Sequence, residues 1–202
     1  MIALIAGFSS VVGAQEEVSG EDTSKAVSLT YEELEEFRNR TVDKINEVQE
    51  YFSVIGSKEE TVDTKKLYID LALKMFINKG ESVTMEVSIL KKGIEKRIRR
   101  PLIMYLDRLA RLPYAKVDIK SSKSCVVSSF MKKGEDADGN PVYTATATIF
   151  QEFVGYNADG VPVYKDTVKK TIEIEIRRHV DLFGGRWIVL LGDISVAETK
   201  SA

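Results

Sequence analysis

Two acidic segments of the sequence have the spacing of oxygen ligands found in calcium-binding loops. Asp136-x-Asp138-Gly139-Asn140 is followed 21 residues later by Asn157-x-Asp159-Gly160. A calcium site requires about six to eight oxygens, including a bidentate acidic residue further along the loop, whereas both segments continue towards apolar and aromatic residues. Asp-Gly between alternating apolar residues is instead a strong signal for a β-hairpin turn. We therefore predict two successive hairpins that join three long strands, and no metal site.

One basic run could bind a polyanion such as nucleic acid, an anionic glycan or lipid headgroups. It comprises Lys91, Lys92, Lys96, Arg97, Arg99 and Arg100. The run lacks aromatic residues that would stack on bases, and the formal net charge of −2 gives no general attraction to nucleic acid. The solvated start of a helix is the favoured interpretation. Polyanion binding through Lys96, Arg97, Arg99 and Arg100 is the alternative, with nucleic acid disfavoured.

The single cysteine and the single histidine limit the available chemistry. Cys125 cannot form an intrachain disulfide, and one histidine, His179, excludes a multi-histidine metal site within the chain. The alternation around His179 places it on a polar strand face opposite the apolar residues, away from a sheltered pocket. No paired acid and base, activated nucleophile or metal-ligand cluster stands out, so the sequence predicts no catalytic residue and no cofactor.

The first residues resemble an export signal. Residues 1–14 are largely apolar and end in Val12-Gly13-Ala14, small residues that suit signal-peptide cleavage, but no basic residue precedes Lys25. A start codon upstream of Met1 would explain why the basic leader is missing from this segment. The run is too short to span a bilayer. We expect a periplasmic or otherwise exported protein with a flexible linker over residues 15–29, and a cytoplasmic location is the alternative.

Helical patterns dominate residues 30–113. A capping box of Thr30 and Glu33 begins the first predicted helix, which Gly56 ends. The second is expected from Thr61 or Asp63 to about Lys79, deep in the domain because it is apolar on most sides. A short strand follows over 83–89. A third helix is predicted after residues 91–93, with Pro101 near its first turn and Pro113 as its stop.

From residue 115 the apolar period changes to two, which predicts strands over about 117–131, 143–153, 168–180 and 186–196. The last segment is apolar on both faces, so either a helix covers one side and a partner subunit the other, or the strand is central and buried on both sides. We favour the partner subunit and expect a homodimer through the outer face of the sheet. The predicted fold is α+β, with three N-terminal helices packed on a curved antiparallel sheet. It forms one domain over 30–197, followed by a tail at 198–202.

The order helix, helix, short strand, helix and four long strands resembles the NTF2-like superfamily, a cone-shaped fold that includes ketosteroid isomerases and scytalone dehydratases. The segment Trp187–Ile194 is also similar to the closing strands of exported, uncharacterised members from Bacteroidota. The resemblance implies an interior that in the enzymes carries an Asp, His or Tyr. It suggests a pocket of modest polarity near Tyr68, Met85, Tyr105 and Trp187.

Three functions remain open at this point. The first is a non-catalytic, exported module that binds a small apolar ligand or a protein partner. The second is a small-molecule isomerase, dehydratase or hydrolase that uses a polar group inside the cone. The third is a polyanion-binding module. Two or more polar side chains converging in an open cavity would favour the enzyme, whereas an interior filled with Leu, Ile and Met would remove it.

Overall fold

The computed structural model describes residues 28–91, 94–182 and 184–201. Its helices are α1 (Tyr31–Gly56), α2 (Val62–Lys74) and α3 (Leu102–Leu109), and a short 3-10 helix covers Ile77–Gly80. Its strands are β1 (Thr84–Lys91), β2 (Ile94–Pro101), β3 (Lys116–Ser121), β4 (Val126–Val127), β5 (Met131–Glu135), β6 (Pro141–Tyr156), β7 (Pro162–Asp181) and β8 (Gly184–Ser201). The predicted α+β class is confirmed.

The strands form one strongly curled sheet with the shape of a half-barrel. Its order is β2-β1-β8-β7-β6-β3, and β4 and β5 also pair with β6. Neighbouring strands are antiparallel except β1 and β8, which run parallel where Met85 faces Ile194. The prediction of a wholly antiparallel sheet is therefore wrong, because the early hairpin β1–β2 joins the sheet beside its last strand.

Helix α1 forms as its sequence predicts. The Thr30 hydroxyl accepts a hydrogen bond from the Glu33 amide, and the Glu33 carboxylate accepts one from the Thr30 amide, which completes the capping box. The periodic apolar residues become buried on one face, and Gly56 is the last helical residue. This face packs on β3 and on α3.

Helix α2 differs from the prediction in both length and depth. It ends at Lys74, and Asn78, Lys79 and Gly80 then adopt left-handed backbone angles that turn the chain towards β1. Ala72 is its one fully buried residue, and Leu67 remains 56% exposed. The apolar residues of α2 thus cover the outside of the core instead of filling it.

The basic run does not start a helix. Residues Ile94–Pro101 form β2, an edge strand that pairs along its length with β1. Helix α3 begins only at Leu102, with Pro101 as its N-cap, and ends at Leu109 before Pro113. Charged side chains on an edge strand discourage pairing with other chains, which gives the run a structural role.

Both repeated Asp-Gly segments are hairpin turns, as predicted. Asp136 Oδ1 accepts hydrogen bonds from the amides of Asp138 and Asn140, and Asn157 Oδ1 accepts them from the amides of Asp159 and Val161. The first turn joins β5 to β6 and the second joins β6 to β7. The side-chain oxygens of Asp136 and Asn157 therefore satisfy the amides of their own turns. The long strand expected over 117–131 is instead three short strands, β3 to β5.

Several predictions fall outside the described residues. They are the signal peptide at 1–14, the linker up to residue 27 and Lys92 of the basic run. Within the described ranges, no helix combines the length and apolar character required to cross a membrane.

Candidate functional site

A cavity of about 650 Å³ lies between α3 and the concave face of the sheet. Apolar and aromatic side chains form much of its wall: Val87, Tyr105, Leu109, Leu112, Tyr114, Phe153 and Val168. Polar and charged side chains also reach it: Ser88, Arg100, Arg108, Arg111, Gln151, Tyr164, Asp166 and Lys170. Cavities of this size and mixed lining are typical of small-molecule sites.

Strand geometry determines which residues of β6 and β7 face this cavity. Side chains alternate between the two faces of a strand, so Asp166, Val168 and Lys170 of β7 point the same way as the buried Ile172. On β6, Gln151 and Phe153 likewise face the cavity. Lys170 and Gln151 are therefore polar residues at strand positions whose side chains face the interior.

Lys170 is the most deeply buried cation of the described residues. Its side chain is 4% exposed, and its ammonium group lies 3.9 Å from the sulfur of Met85. No carboxylate of the described residues pairs with it within ion-pair distance. Burial lowers the pKa of Lys170 to about 8, although the charge of Asp166 opposes the shift. The amine is therefore partly neutral near physiological pH.

Asp166 forms the acidic element of the cavity. Its carboxylate accepts a hydrogen bond of 2.6 Å from the Tyr164 hydroxyl. Burial raises the pKa of Asp166, while that hydrogen bond and the charge of Lys170 act in the opposite direction. Burial and the Asp166 charge raise the pKa of the Tyr105 hydroxyl, so this group stays protonated. The cavity thus contains an acid, a partly neutral amine and phenol donors.

Three aromatic rings build one side of the cavity. The rings of Tyr114 and Tyr164 stack with centroids 6.1 Å apart, and Phe153 meets each of them edge-on at 5.9 Å and 5.7 Å. Tyr114 can approach the sheet because Gly155 has no side chain; a Cβ there would lie 2.6 Å from the ring. The glycine that precedes the second hairpin turn therefore also shapes the site.

Cationic groups outnumber the carboxylate around the cavity. Arg100 of β2 and Arg108 and Arg111 of the α3 region join Lys170, against Asp166 alone. Arg111 is engaged by Asp107 at 2.6 Å. The remaining excess of positive charge makes the cavity suited to an anion.

The sequence-predicted pocket residues do not all meet at this cavity. Tyr105 lines it, and Met85 lies beneath Lys170 with 1% exposure. Tyr68 packs edge-on against Tyr51 of α1 at 5.4 Å, away from the cavity lining. Trp187 packs against Tyr143 at 5.9 Å on another part of the sheet.

The residues of the predicted polyanion site also lie in different surroundings. Lys96 and Arg99 are exposed on β2, whereas the Arg97 guanidinium donates hydrogen bonds to the carbonyls of Val196 and Ala197 at 2.7 and 3.3 Å. Arg100 is half-buried and faces the cavity. Their side chains therefore do not form one continuous basic surface.

Sequence reasoning missed Asp166 and Lys170, and treated the interior as aliphatic. A signal was present, because Lys170 occupies the apolar parity of β7 between Val168 and Ile172. A lysine at a strand position where buried apolar residues are expected has two explanations: the predicted strand register is wrong, or the lysine has a function. Gln151 carries the same signal on β6, between Ile149 and Phe153.

The other candidates keep simple roles. His179 is exposed, and Cys125 is half-buried with a thiol pKa raised by burial. In the described part of the chain, no group of three or more His, Cys, Asp or Glu side chains could hold a metal ion. Comparison of the chain with protein-family models, curated proteins and solved structures found no match.

Proposed function

We propose that this domain binds a small organic anion with an apolar body inside the cavity between α3 and the sheet. The observation that carries the proposal is the 650 Å³ open space whose apolar wall contains the buried Lys170. Concave, largely apolar clefts of this size with a few converging polar groups are where small molecules usually bind. Burying a lysine is costly unless the charge has a partner.

The lining defines the chemical class of the ligand. Phe153, Val168 and Leu109 offer apolar contact to a chain or ring, and Lys170 and Arg108 offer positive charge. A medium-chain carboxylate satisfies both requirements. Its carboxylate would supply the partner that Lys170 lacks among the described carboxylates.

Equilibrium binding of dodecanoate, followed by calorimetry, tests this proposal. We expect binding to the wild type and a loss of at least tenfold in affinity for Val168→Trp, because the indole would occupy the cavity. Val163→Trp is the matched control, since Val163 lies on the same strand but is 57% exposed and outside the lining. Equal affinity of the two variants would refute the cavity as the binding site.

A catalytic role is the second candidate. Tyr164, Asp166 and Lys170 converge in an open cavity, which is the arrangement that favours a small-molecule enzyme over a scaffold. A polyanion-binding role gains less support, because Arg97 and Arg100 turn towards β8 and the cavity. Retention on heparin that persists after joint substitution of Lys96, Arg97, Arg99 and Arg100 would eliminate that third role.

We also propose that the domain is an NTF2-like cone that is exported and forms a homodimer. The curled sheet closed by α3 supports the cone, and the apolar residues 1–14 support export. On the outer face, Ile188 and Leu190 of β8 stay partly exposed, which supports a second copy as partner. Fractionation of cells that express the native gene tests export: recovery with cytoplasmic markers would reject it.

A further inference from the structure

We propose that Lys170 reacts with the carbonyl group of an apolar oxo acid held in the cavity, forming an imine at its Nζ atom. This inference rests on the proposed function, because the oxo acid is an organic anion of the class that the cavity would bind. The inference gives Lys170 a covalent role, and it names the carbonyl group as the feature that distinguishes a substrate from a ligand that only binds.

The surroundings of Lys170 favour an amine nucleophile. A lysine becomes nucleophilic when a desolvated environment destabilises its ammonium form. Lys170 is 4% exposed, its ammonium group contacts the thioether of Met85 at 3.9 Å, and it still borders an open cavity of about 650 Å³. The pKa near 8 leaves roughly one tenth of the amine neutral at pH 7. For an ordinary lysine the neutral fraction is far smaller.

The reaction balances without any further co-reactant. The neutral Nζ atom attacks the carbonyl carbon, a C–N bond forms, and the carbonyl π electrons move to oxygen, which takes up a proton. The resulting carbinolamine loses its hydroxyl group as water when a second proton arrives. Starting from the ammonium form, one carbonyl compound enters, one water leaves, and a protonated imine results. The proton lost by the Lys170 ammonium at the start equals the one that the carbinolamine hydroxyl takes up when it leaves as water, so no net proton is required.

Charge in the cavity selects an oxo acid over a neutral ketone. The carboxylate of the substrate would meet the guanidinium groups of Arg100 or Arg108, which leaves the carbonyl free for Lys170. The apolar remainder would contact Phe153 and Val168. An oxo acid of about eight carbons suits a cavity of this volume.

Reductive trapping tests the inference. The full chain is incubated with 2-oxooctanoate and sodium borohydride, which converts an imine into a stable secondary amine, and the modified lysine is located by peptide mass spectrometry. We expect modification at Lys170 in the wild type and in Lys169→Met, and at least tenfold less total modification in Lys170→Met. Lys169 is the matched control, because it is adjacent in sequence but is not part of the cavity lining.

Dependence on pH separates Lys170 from surface lysines. Trapping at Lys170 should rise up to about pH 8 and then level off, whereas exposed lysines should gain reactivity towards their ordinary pKa near 10.5. The charged and titratable groups that face the cavity with it come from β2, β7, α3 and the segment after α3: Arg100, Tyr164, Asp166, Tyr105, Arg108, Arg111 and Tyr114. Of these groups, Asp166 alone carries a carboxyl.

The outcomes distinguish the two proposals. If dodecanoate binds with the expected sensitivity to Val168→Trp but Lys170 is not modified, the imine is refuted and ligand binding stands. If modification is spread over exposed lysines and is unchanged in Lys170→Met, the imine is also refuted. Octanoate, which has the same length without the carbonyl, should reduce trapping at Lys170 by competition; no reduction would contradict attachment within the cavity.

Discussion

At the scale of single residues, the burial of Lys170 links folding to protonation. The pKa of this lysine falls from 10.5 to about 8 on folding. Between these two values the unfolded chain binds more protons than the folded one, so the free energy of unfolding rises with pH over this range. Below pH 8 the lysine is charged in both states, and its burial costs on the order of 3 kcal/mol.

Substitution of Lys170 by Met should therefore stabilise the protein at pH 7, by roughly 2–4 kcal/mol. The advantage over the wild type should shrink by about 2 kcal/mol at pH 9.5, where the wild-type amine is neutral in the folded state. Urea denaturation at both pH values measures this. Lys169→Met should change the free energy of unfolding by less than about 0.5 kcal/mol at either pH. An advantage for Lys170→Met that is constant with pH would contradict the assigned pKa.

Gly155 offers a second test at the residue scale. A Cβ at this position would lie 2.6 Å from the Tyr114 ring, whereas a Cβ at Gly134 would meet nothing within 4 Å. We expect Gly155→Ala to destabilise the fold by about 1–3 kcal/mol through overpacking and to weaken dodecanoate binding as Tyr114 moves. Gly134→Ala is the control, with little effect on either. Thermal unfolding and calorimetry measure both; unchanged values for Gly155→Ala would show that the ring is not held there.

At the scale of elements, local signals were reliable where local chemistry decides the structure. The Thr30–Glu33 capping box and the two Asp-Gly turns satisfy their own backbone groups, so neighbouring residues suffice to predict them. The prediction failed for β2, whose charged residues Ile94–Pro101 have weak strand character. That strand exists because β1 supplies its hydrogen bonds, which is a tertiary effect.

The turn after α2 gives a prediction at this scale. Asn78 and Lys79 have φ angles of 49° and 53°, a conformation that costs non-glycine residues about 1–2 kcal/mol. Lys79→Val should destabilise the fold by at least about 1 kcal/mol because a β-branched residue resists it, whereas Lys79→Gly should leave stability equal or higher. Lys66→Val, in the exposed part of α2, is the control, with a cost of about 0.5 kcal/mol. Equal losses for Lys79→Val and Lys66→Val, measured in urea, would contradict the left-handed turn.

At the scale of the whole molecule, the cavity depends on pairings between distant parts of the chain. Strand β1 joins β8 across more than one hundred residues, and the side chains of β2, α3, β6 and β7 meet only once the sheet has curled. Alternation predicted which side of β6 and β7 faces inwards. A curved sheet was also expected, but the empty volume beside Lys170 has no comparable sequence signal.

At this scale we predict that two copies of the chain associate. Sedimentation velocity at high micromolar concentration should show a dimer for the wild type. Leu190→Lys should shift it to monomer, because a charge on the outer sheet face would oppose an apolar contact. Met131→Lys, at a residue that is 70% exposed on β5, is the control and should remain dimeric. A monomeric wild type would reject the homodimer.

The position of a bound ligand is the most direct test of the cavity as the functional site. Crystals grown with 12-bromododecanoate would locate the bromine by anomalous scattering and the carboxylate by electron density. We expect the chain between α3 and the β6–β7 surface, in contact with Phe153 and Val168, and the carboxylate beside Lys170 or the neighbouring arginines. Density confined to the outer face of the sheet, with the cavity filled by side chains, would contradict this.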